Sequence, residues 1–201
     1  MKAHGEAGYT IIETLVAVSI LAVASVSFFS ILLGGTRAST TTEEVARVSE
    51  EARIGLNRMI RDTREGQLFS DLQPQSYNVR VDFDGDGNFE IPNEAGDYEN
   101  LNFVYDAAEQ AIELNGEVLV RGVQPIPGNP IFTFTSNDLR YDWNGDGLTT
   151  SAELNEAAAR GYSGISASNT ALYSNVHFAF RIQVGERATN FRGQAQLRNR
   201  R

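Results

Sequence analysis

The stretch GYTIIETLVAVSILAVASVSFFSILL, residues 8–33, decides the organisation of this chain of 201 residues. From Tyr9 to Leu33 it carries a single charged side chain, the carboxylate of Glu13. As an α-helix, Tyr9 to Leu33 would extend for about 37 Å, which exceeds the roughly 30 Å of a bilayer's hydrocarbon core. The sequence therefore predicts a membrane-spanning helix with one acid close to its amino-terminal end.

Hydroxyl residues interrupt the apolar run without excluding a membrane helix. Within a helix, serine and threonine hydroxyls can donate to the carbonyl one turn earlier, which satisfies them in hydrocarbon. The following glycine pair, Gly34-Gly35, is the predicted weak point, because glycine costs about 1 kcal/mol per residue in a helix. The serine and threonine residues of the run after Glu13 are Thr14, Ser19, Ser25, Ser27 and Ser30.

The residues before and around Glu13 form a processing pattern. A short polar segment ends at Gly8, and Tyr9, Thr10 and Glu13 follow it at the head of the apolar run. This arrangement resembles the processing site of type IV prepilins. The resemblance implies cleavage after Gly8 by a prepilin peptidase, N-methylation of Tyr9, and assembly of the helix with other pilin or pseudopilin subunits. Glu13 would be the carboxylate that methylation and assembly require.

The resemblance also implies a partner for the acid, since an uncompensated carboxylate is costly in hydrocarbon. Cleavage after Gly8 would leave a new α-amine on Tyr9, and such amines are largely protonated at neutral pH because their pKa lies near about 7.7–8.0. In a filament, Glu13 of one subunit would pair with the Tyr9 amine of a neighbour. The cost of an unpaired charge would favour the register that joins them.

Two other interpretations of the apolar run stay open. Residues 22–24, Ala-Val-Ala, have the small-x-small form of a signal-peptide cleavage site. Against that interpretation, Glu6 and Glu13 are unusual in a cationic leading region, and the apolar run continues through residues 28–33. A plain single-span anchor is the second alternative, and it leaves the pattern at residues 8–13 unexplained.

The chain is expected to divide into four parts. Residues 1–8 would form a leader, 9–35 a transmembrane and filament-core helix, 36–66 an amphipathic helix ending at Gly66, and 67–201 a β-rich head. In the amphipathic helix, apolar residues recur at three- and four-residue steps, which predicts a face packed against a sheet. These residues are Val45, Val48, Ala52, Leu56, Met59 and Ile60.

Short alternating apolar runs beyond Pro74 predict an antiparallel sheet, so the expected fold class is α+β with the long helix packed on the sheet. Asn115-Gly116 is a strong hairpin signal because both residues accept positive φ. The chain is also similar to PilW-type minor pilins and to J-type pseudopilins of type II secretion. The similarity covers the hairpin region and residues 53–64 and 196–199, and it implies a pilin-like head. The predicted strands cover 77–81, 101–105, 111–114, 118–120, 131–134, 176–184 and 191–197.

Residues 142–153 match the calcium loop of an EF-hand, in which oxygen ligands and a sharp glycine turn let one segment wrap the ion. Residues 152–160 are predicted to form the exiting helix, whereas 139–141 read as an entering strand. The alternative is a pair of turns held by the loop's own backbone. The loop positions are filled by Asp142 (first), Asn144 (third), Asp146 (fifth), Gly147 (sixth), Leu148 (seventh, through its carbonyl) and Glu153 (twelfth).

A second loop, residues 82–94, has the same opening. Its twelfth position is Asn93, so the bidentate carboxylate would have to come from a neighbouring glutamate. The candidate calcium ligands of this loop are Asp82, Asp84, Asp86, Glu90 and Glu94. Calcium is the one cofactor that the sequence predicts, and no organic cofactor is expected.

Composition narrows the function classes. The net charge of −9 argues against nucleic-acid binding, because phosphate contacts need a basic surface. The absence of cysteine excludes disulfides and thiolate chemistry, and two histidines, His4 and His177, are too few for a histidine metal cluster. No Gly-x-Ser-x-Gly elbow or histidine-based triad is present, so an enzyme is not expected.

The sequence therefore predicts a structural subunit, a minor pilin or pseudopilin of a type IV filament system. It would sit in the bacterial inner membrane with a single span and its head outside the cytoplasm, and then enter a pilus or pseudopilus at the cell surface. A type II secretion pseudopilin is one alternative. A membrane-anchored calcium-binding adhesin outside any filament is another.

Overall fold

The structure, a computed structural model, describes residues 10–83, 85, 99–185 and 187–198. The chain forms two compact units, Met1–Val45 and Ala46–Arg201. The helices are α1 (Ile11–Glu65) and α2 (Ser151–Ala159). The strands are β1 (Leu68–Gln73), β2 (Ser76–Arg80), β3 (Asn100–Asp106), β4 (Ala111–Leu114), β5 (Glu117–Arg121), β6 (Val123–Pro125), β7 (Phe132–Ser136), β8 (Thr149–Thr150), β9 (Asn175–Val184) and β10 (Arg187–Gln196).

The strands of the second unit form two sheets. Sheet A is an antiparallel meander in the order β1-β2-β3-β4-β5. Sheet B has the order β10-β9-β7-β8, and β6 pairs with β9 on the edge opposite β10. The α+β class is thus confirmed, with an apolar amino-terminal helix and antiparallel strands. The expectation of a single sheet is wrong, because the five carboxy-terminal strands pair among themselves.

The hairpin predicted at Asn115-Gly116 is confirmed. Leu114 pairs with Glu117 across the two-residue turn, and both turn residues have positive φ, 52° at Asn115 and 83° at Gly116. The Asn115 Oδ1 atom also accepts a hydrogen bond of 2.8 Å from the backbone N–H of Asn102 on β3. The turn therefore fixes the register of β4 and β5 and ties the hairpin to its neighbour.

The Leu139–Tyr141 segment is a 3-10 turn, so the prediction of a strand entering the 142–153 loop is wrong. Asp138 caps this turn, since its Oδ1 accepts from the Arg140 backbone N–H at 3.2 Å. The same carboxylate forms an ion pair with the Arg140 guanidinium at 2.6 Å. This local hydrogen bonding competes with strand pairing, which is the usual role of Asp before a turn.

The core of the second unit is centred on the aromatic ring of Tyr77, which is fully buried on β2. Its hydroxyl hydrogen-bonds with the Thr63 hydroxyl of α1 at 2.9 Å, so one side chain joins the helix to both sheets. Five phenylalanine rings pack directly on the Tyr77 ring. They are Phe69 and Phe103 from sheet A, and Phe132, Phe134 and Phe178 from sheet B.

Burial raises the pKa of Tyr77 well above its ordinary value of 10.0. A group whose pKa is raised by folding stabilises the native state below its unfolded pKa, and this contribution is lost as the pH rises from the unfolded value towards the folded one. We therefore expect the free energy of unfolding to fall by up to about 1.4 kcal/mol per pH unit above about pH 10. Urea unfolding at stepped alkaline pH measures this slope. An equal slope in Tyr77→Phe would contradict the assignment to Tyr77.

The predicted apolar face of α1 packs closely on the sheets. Ala52, Leu56 and Met59 are buried, which confirms this part of the stripe. At Gly55 the helix approaches β5 so closely that a Cβ atom would lie 2.2 Å from the Val120 Cγ2 and 3.0 Å from the Leu119 carbonyl oxygen. The absence of a side chain at Gly55 therefore sets the distance between helix and sheet.

We expect Gly55→Ala to destabilise the head, although alanine is the better helix former by about 1 kcal/mol. The contact with the Leu119 carbonyl is with backbone, so β5 has to shift and the cost is expected to reach about 1–3 kcal/mol. Urea unfolding compares this variant with Asn57→Ala, an exposed position two residues further along α1. A Gly55→Ala protein more stable than the parent would contradict the packing.

Candidate functional site

The amino-terminal part of α1 exposes its apolar side chains on all sides within its own unit. Residues Ile11–Thr36 have a mean hydropathy of 2.5, and all of them are exposed. Large side chains illustrate this, with Ile11 82% and Phe28 65% exposed. Leaving this surface in water is unfavourable by about 25 cal/mol for each Å² of apolar area. In length and hydropathy it is sufficient to span a membrane.

The hydroxyl side chains of this segment bond back to its own carbonyls, as the sequence predicts. Each of the five between Thr14 and Ser30 donates to the carbonyl oxygen four residues earlier. Because their polar atoms are satisfied within the helix, these residues do not prevent its insertion into hydrocarbon. The distances are 3.3 Å for Thr14, 2.8 Å for Ser19 and Ser25, 3.0 Å for Ser27 and 2.9 Å for Ser30.

Glu13 lies in the first turn of α1, close to the hydroxyl of Thr10. The Thr10 hydroxyl accepts a hydrogen bond of 3.2 Å from the Glu13 backbone N–H. Thr10-x-x-Glu13 is the sequence signature of a capping box, and this signal could have been recognised in advance. An acid at this point also interacts favourably with the positive end of the helix dipole. The processing residues Gly8 and Tyr9 lie outside the described residues.

The 142–147 loop is wrapped around the carboxylate of Asp142. Its Oδ1 accepts from the Gly145 N–H at 2.8 Å, and its Oδ2 accepts from the Gly147 N–H at 2.9 Å. Both glycines have positive φ, 74° and 84°, which explains the residue type at these two positions. Asn144 and Asp146 are adjacent, and the Asn144 Nδ2 donates to the Asp146 Oδ2 at 3.0 Å.

Glu153 joins this loop to α2. Its carboxylate is buried, and its Oε1 accepts from the Trp143 N–H at 3.1 Å. Its Oε2 accepts from the Thr150 N–H at 2.8 Å, while the Thr150 hydroxyl accepts from the Glu153 N–H, which completes a capping box. Residues 151–159 thus form the predicted exiting helix, with its third residue at the twelfth loop position.

These contacts determine whether the loop, in this conformation, can coordinate a metal ion. Among the described residues, no group of three or more His, Asp or Glu side chains is arranged to hold one. Asp142 and Asp146 lie on the loop, but Glu153 directs its oxygens at backbone N–H groups of Trp143 and Thr150. The arrangement matches the alternative of turns held by their own backbone. Calcium coordination by Glu153 and the Leu148 carbonyl would require Glu153 to exchange amide contacts for the ion.

Of the second loop, residues 82–94, the structure describes only 82, 83 and 85. The Asp82 Oδ1 accepts from the Gly85 N–H at 2.6 Å, which is the same opening turn as at Asp142. The Oε1 of Glu99, a fully buried acid that sequence reasoning missed, accepts from the Phe83 N–H at 3.0 Å. The other predicted ligands, Asp84, Asp86, Glu90 and Glu94, lie outside the described residues.

Comparisons of the chain with protein-family models, curated proteins and solved structures found no match. The class of protein therefore has to be argued from the chain's own residues.

Proposed function

We propose that this chain is a structural subunit of a type IV filament system, a minor pilin or pseudopilin that a prepilin peptidase processes. The observation that carries the proposal is the exposed apolar helix of residues 11–36, which bears one acid, Glu13, directly after the sequence Gly8-Tyr9-Thr10. A helix that is apolar all round needs either lipid or other apolar helices around it. A filament subunit uses both environments, first the inner membrane and then the filament core.

The position of Glu13 supports assembly more specifically than anchoring. A carboxylate in hydrocarbon is costly unless a cation compensates it, and the first turn of α1 contains no lysine, arginine or histidine. The methylated amine that processing would create on Tyr9 supplies that cation from a neighbouring subunit. In a plain membrane anchor, Glu13 would be limited to its favourable position beside the Thr10 cap.

We propose that the head lies outside the cytoplasm, at the end of the membrane helix. It is a compact α+β unit without cysteine; its two sheets share an aromatic core, and the Thr63–Tyr77 hydrogen bond joins α1 to β2. Such a unit is stable without a disulfide because its core is large. We propose that it faces solvent or the filament tip. A type II secretion pseudopilus uses the same helix chemistry and is the alternative within this class.

The direct test is recovery of the chain in filaments. The chain carrying a carboxy-terminal epitope is produced in a bacterium with an active type IV system and in its prepilin peptidase mutant. We expect the epitope in filaments sheared from the surface, or in the pseudopilus fraction, only when the peptidase is present. Retention of the chain in the membrane fraction of both strains would contradict the proposal and favour a plain anchor.

We further propose that the 142–153 loop binds calcium in the exported head. The spacing of Asp142, Asn144, Asp146 and Glu153 supports this, and binding would require Glu153 to exchange its contacts with the Trp143 and Thr150 N–H groups for the ion. Binding would stabilise the native state by linkage, by about 2.7 kcal/mol at a free calcium concentration one hundred times the dissociation constant.

Calcium is therefore expected to raise the melting temperature of the purified chain, and a chelator to reverse the rise. Asp146→Ala is expected to remove the calcium-dependent increment, whatever its effect on basal stability. Asp106→Ala is the matched control, because its Oδ1 also accepts a backbone N–H, that of Ala108, in a turn elsewhere in the head. Differential scanning calorimetry with and without calcium measures both increments. An unchanged melting curve for the parent chain would remove the calcium assignment.

A further inference from the structure

Sheet B has one face in the core and one face outside it. On β9 and β10, Phe178 and Phe180 are buried and pair with Gly193 and Phe191. Because side chains alternate along a strand, the intervening residues lie on the other face, which we name the outer face of sheet B. Its strand positions are Gln124 on β6, Thr133 and Thr135 on β7, Thr150 on β8, Asn175, His177, Ala179, Arg181 and Gln183 on β9, and Ala188, Asn190, Arg192, Gln194 and Gln196 on β10.

The outer face of sheet B differs from the rest of the chain in charge. The whole chain has a net charge of −9, yet none of these described strand positions is Asp or Glu. Its charged side chains are Arg181 and Arg192, and its other groups are hydroxyls, amides and one imidazole. In a protein with this excess of acid, a face without carboxylates is a favourable place for an anion.

A groove of about 450 Å³ lies on this face. Its floor is formed by Thr133 and Thr135, by His177, and by Arg192 and Gln194, while Leu148 and Thr150 line one side. Arg192 pairs in register with Ala179, whose short side chain leaves space beside the guanidinium. The volume is in the range of small-molecule sites, which is about 300–1,000 Å³.

Buried hydrogen bonds hold the floor of the groove. The Thr135 hydroxyl is almost completely buried and contacts the His177 Nε2 at 3.0 Å. Asn175, the outer-face residue of β9 next to His177, donates from its Nδ2 to the Asn137 Oδ1 at 2.6 Å. This hydrogen bond fixes the Asn175 side chain. Burial lowers the pKa of His177, so its imidazole is neutral at pH 7 and contributes hydrogen bonding without charge. Arg192 is consequently the cation of the groove.

Arg192 is available for a ligand. It takes part in none of the ion pairs found among the described residues. Guanidinium groups bind carboxylates through two parallel hydrogen bonds, which gives both charge and orientation. Around this cation the groove presents the exposed Thr133 hydroxyl, the Gln194 amide and the neutral His177 imidazole. This composition matches a ligand that combines a carboxylate for Arg192 with several hydroxyl groups.

We propose that the groove on the outer face of sheet B binds an acidic saccharide, with a uronate carboxylate on Arg192 and sugar hydroxyls on Thr133, His177 and Gln194. An acidic peptide is the less suitable ligand, because it brings few hydroxyls to a groove whose other polar groups are a hydroxyl, an amide and an imidazole. The inference goes beyond the filament role and does not depend on it. It requires only the head, which an unprocessed chain also contains.

Titration calorimetry on the full chain in detergent tests this inference, with digalacturonic acid as the probe and neutral galactobiose as the uncharged comparison. We expect digalacturonic acid to bind, and Arg192→Gln to weaken that binding by at least about tenfold, the effect of losing a charge-assisted hydrogen bond. Arg187→Gln is the matched control, since Arg187 is exposed on the same strand but alternates to the opposite face. The Arg187→Gln variant is expected to bind digalacturonic acid with the same affinity as the parent chain.

Three results would overturn the inference. The first is no binding of digalacturonic acid to the parent chain at millimolar concentration. The second is an equal loss of affinity in Arg192→Gln and Arg187→Gln, which would indicate a general charge effect. The third is tighter binding of hexaglutamate than of digalacturonic acid with the same dependence on Arg192, which would assign the groove to an acidic peptide.

Discussion

Glu13→Ala is expected to reduce incorporation of the chain into filaments by at least about tenfold while leaving it in the membrane. In the proposed filament core, the methylated amine of Tyr9 is buried, and removal of Glu13 would leave that charge without its partner. Breaking a buried ion pair by removing one member costs several kcal/mol. In the membrane before assembly, removal of the acid instead favours insertion, because it takes a charge out of hydrocarbon. The two effects have opposite signs and are measured separately.

Two control variants separate pairing from helix capping. Thr10→Ala removes the hydroxyl that accepts the Glu13 N–H and should cost about 1 kcal/mol of helix stability, with filament incorporation retained. Glu13→Gln keeps the size and the hydrogen-bonding oxygen but removes the charge, and it should behave like Glu13→Ala. Quantification of sheared and membrane-bound chain by immunoblot gives both values. Normal incorporation of the glutamine variant would show that the charge of Glu13 has no role in assembly.

Tyr77→Ala is expected to lower the free energy of unfolding of the head by about 3–5 kcal/mol. The ring is fully buried and contacts phenylalanines from both sheets, at centroid distances of 4.9 Å from Phe103 and 5.0 Å from Phe132. Its removal would leave a cavity at the point where the sheets and α1 meet. The Thr63 hydroxyl would also lose its partner in a buried position. Both consequences act in the same direction.

Urea unfolding, followed by the fluorescence of the single tryptophan, Trp143, measures this loss. Tyr77→Phe is the matched comparison, because it keeps the ring and removes only the hydroxyl. Its cost should be about 1–3 kcal/mol, the penalty of leaving the Thr63 hydroxyl buried without a partner. Equal stabilities of the alanine and phenylalanine variants would contradict the assignment of the cost to the aromatic ring.

Elements with local causes could be predicted from the sequence. The apolar run fixes the amino-terminal helix, the Asn115-Gly116 pair fixes a hairpin, and alternation fixes β9. By contrast, β1 has no such signal, because Asp71 stands in it at a φ of 50° and its pairing with β2 is irregular between Ser70 and Gln73. The division into two sheets depends on pairings between distant strands, such as β7 with β9, which no local pattern specifies.

In the candidate sites too, features with local causes could be predicted and features that depend on distant residues could not. The back-bonding of the five hydroxyls in the apolar helix follows from helix geometry, and the structure confirms it. In the 142–153 loop, the sequence predicts the glycine turn and the exiting helix. Residue spacing does not predict that the Glu153 carboxylate accepts a hydrogen bond from the Trp143 N–H. The entry at Leu139–Tyr141 was predicted wrongly because Asp138 caps a turn there. The groove on the outer face of sheet B depends on three strands and has no sequence signature.

The central claim is that the chain is trimmed after Gly8 and modified on Tyr9. Intact-mass and amino-terminal analysis of the chain, extracted from cells with an active prepilin peptidase, tests this most directly. The account predicts a chain that begins at Tyr9 and is heavier by one methyl group on its amine. A chain that retains residues 1–8, or one that begins at Ser25 after signal-peptide cleavage, would contradict it.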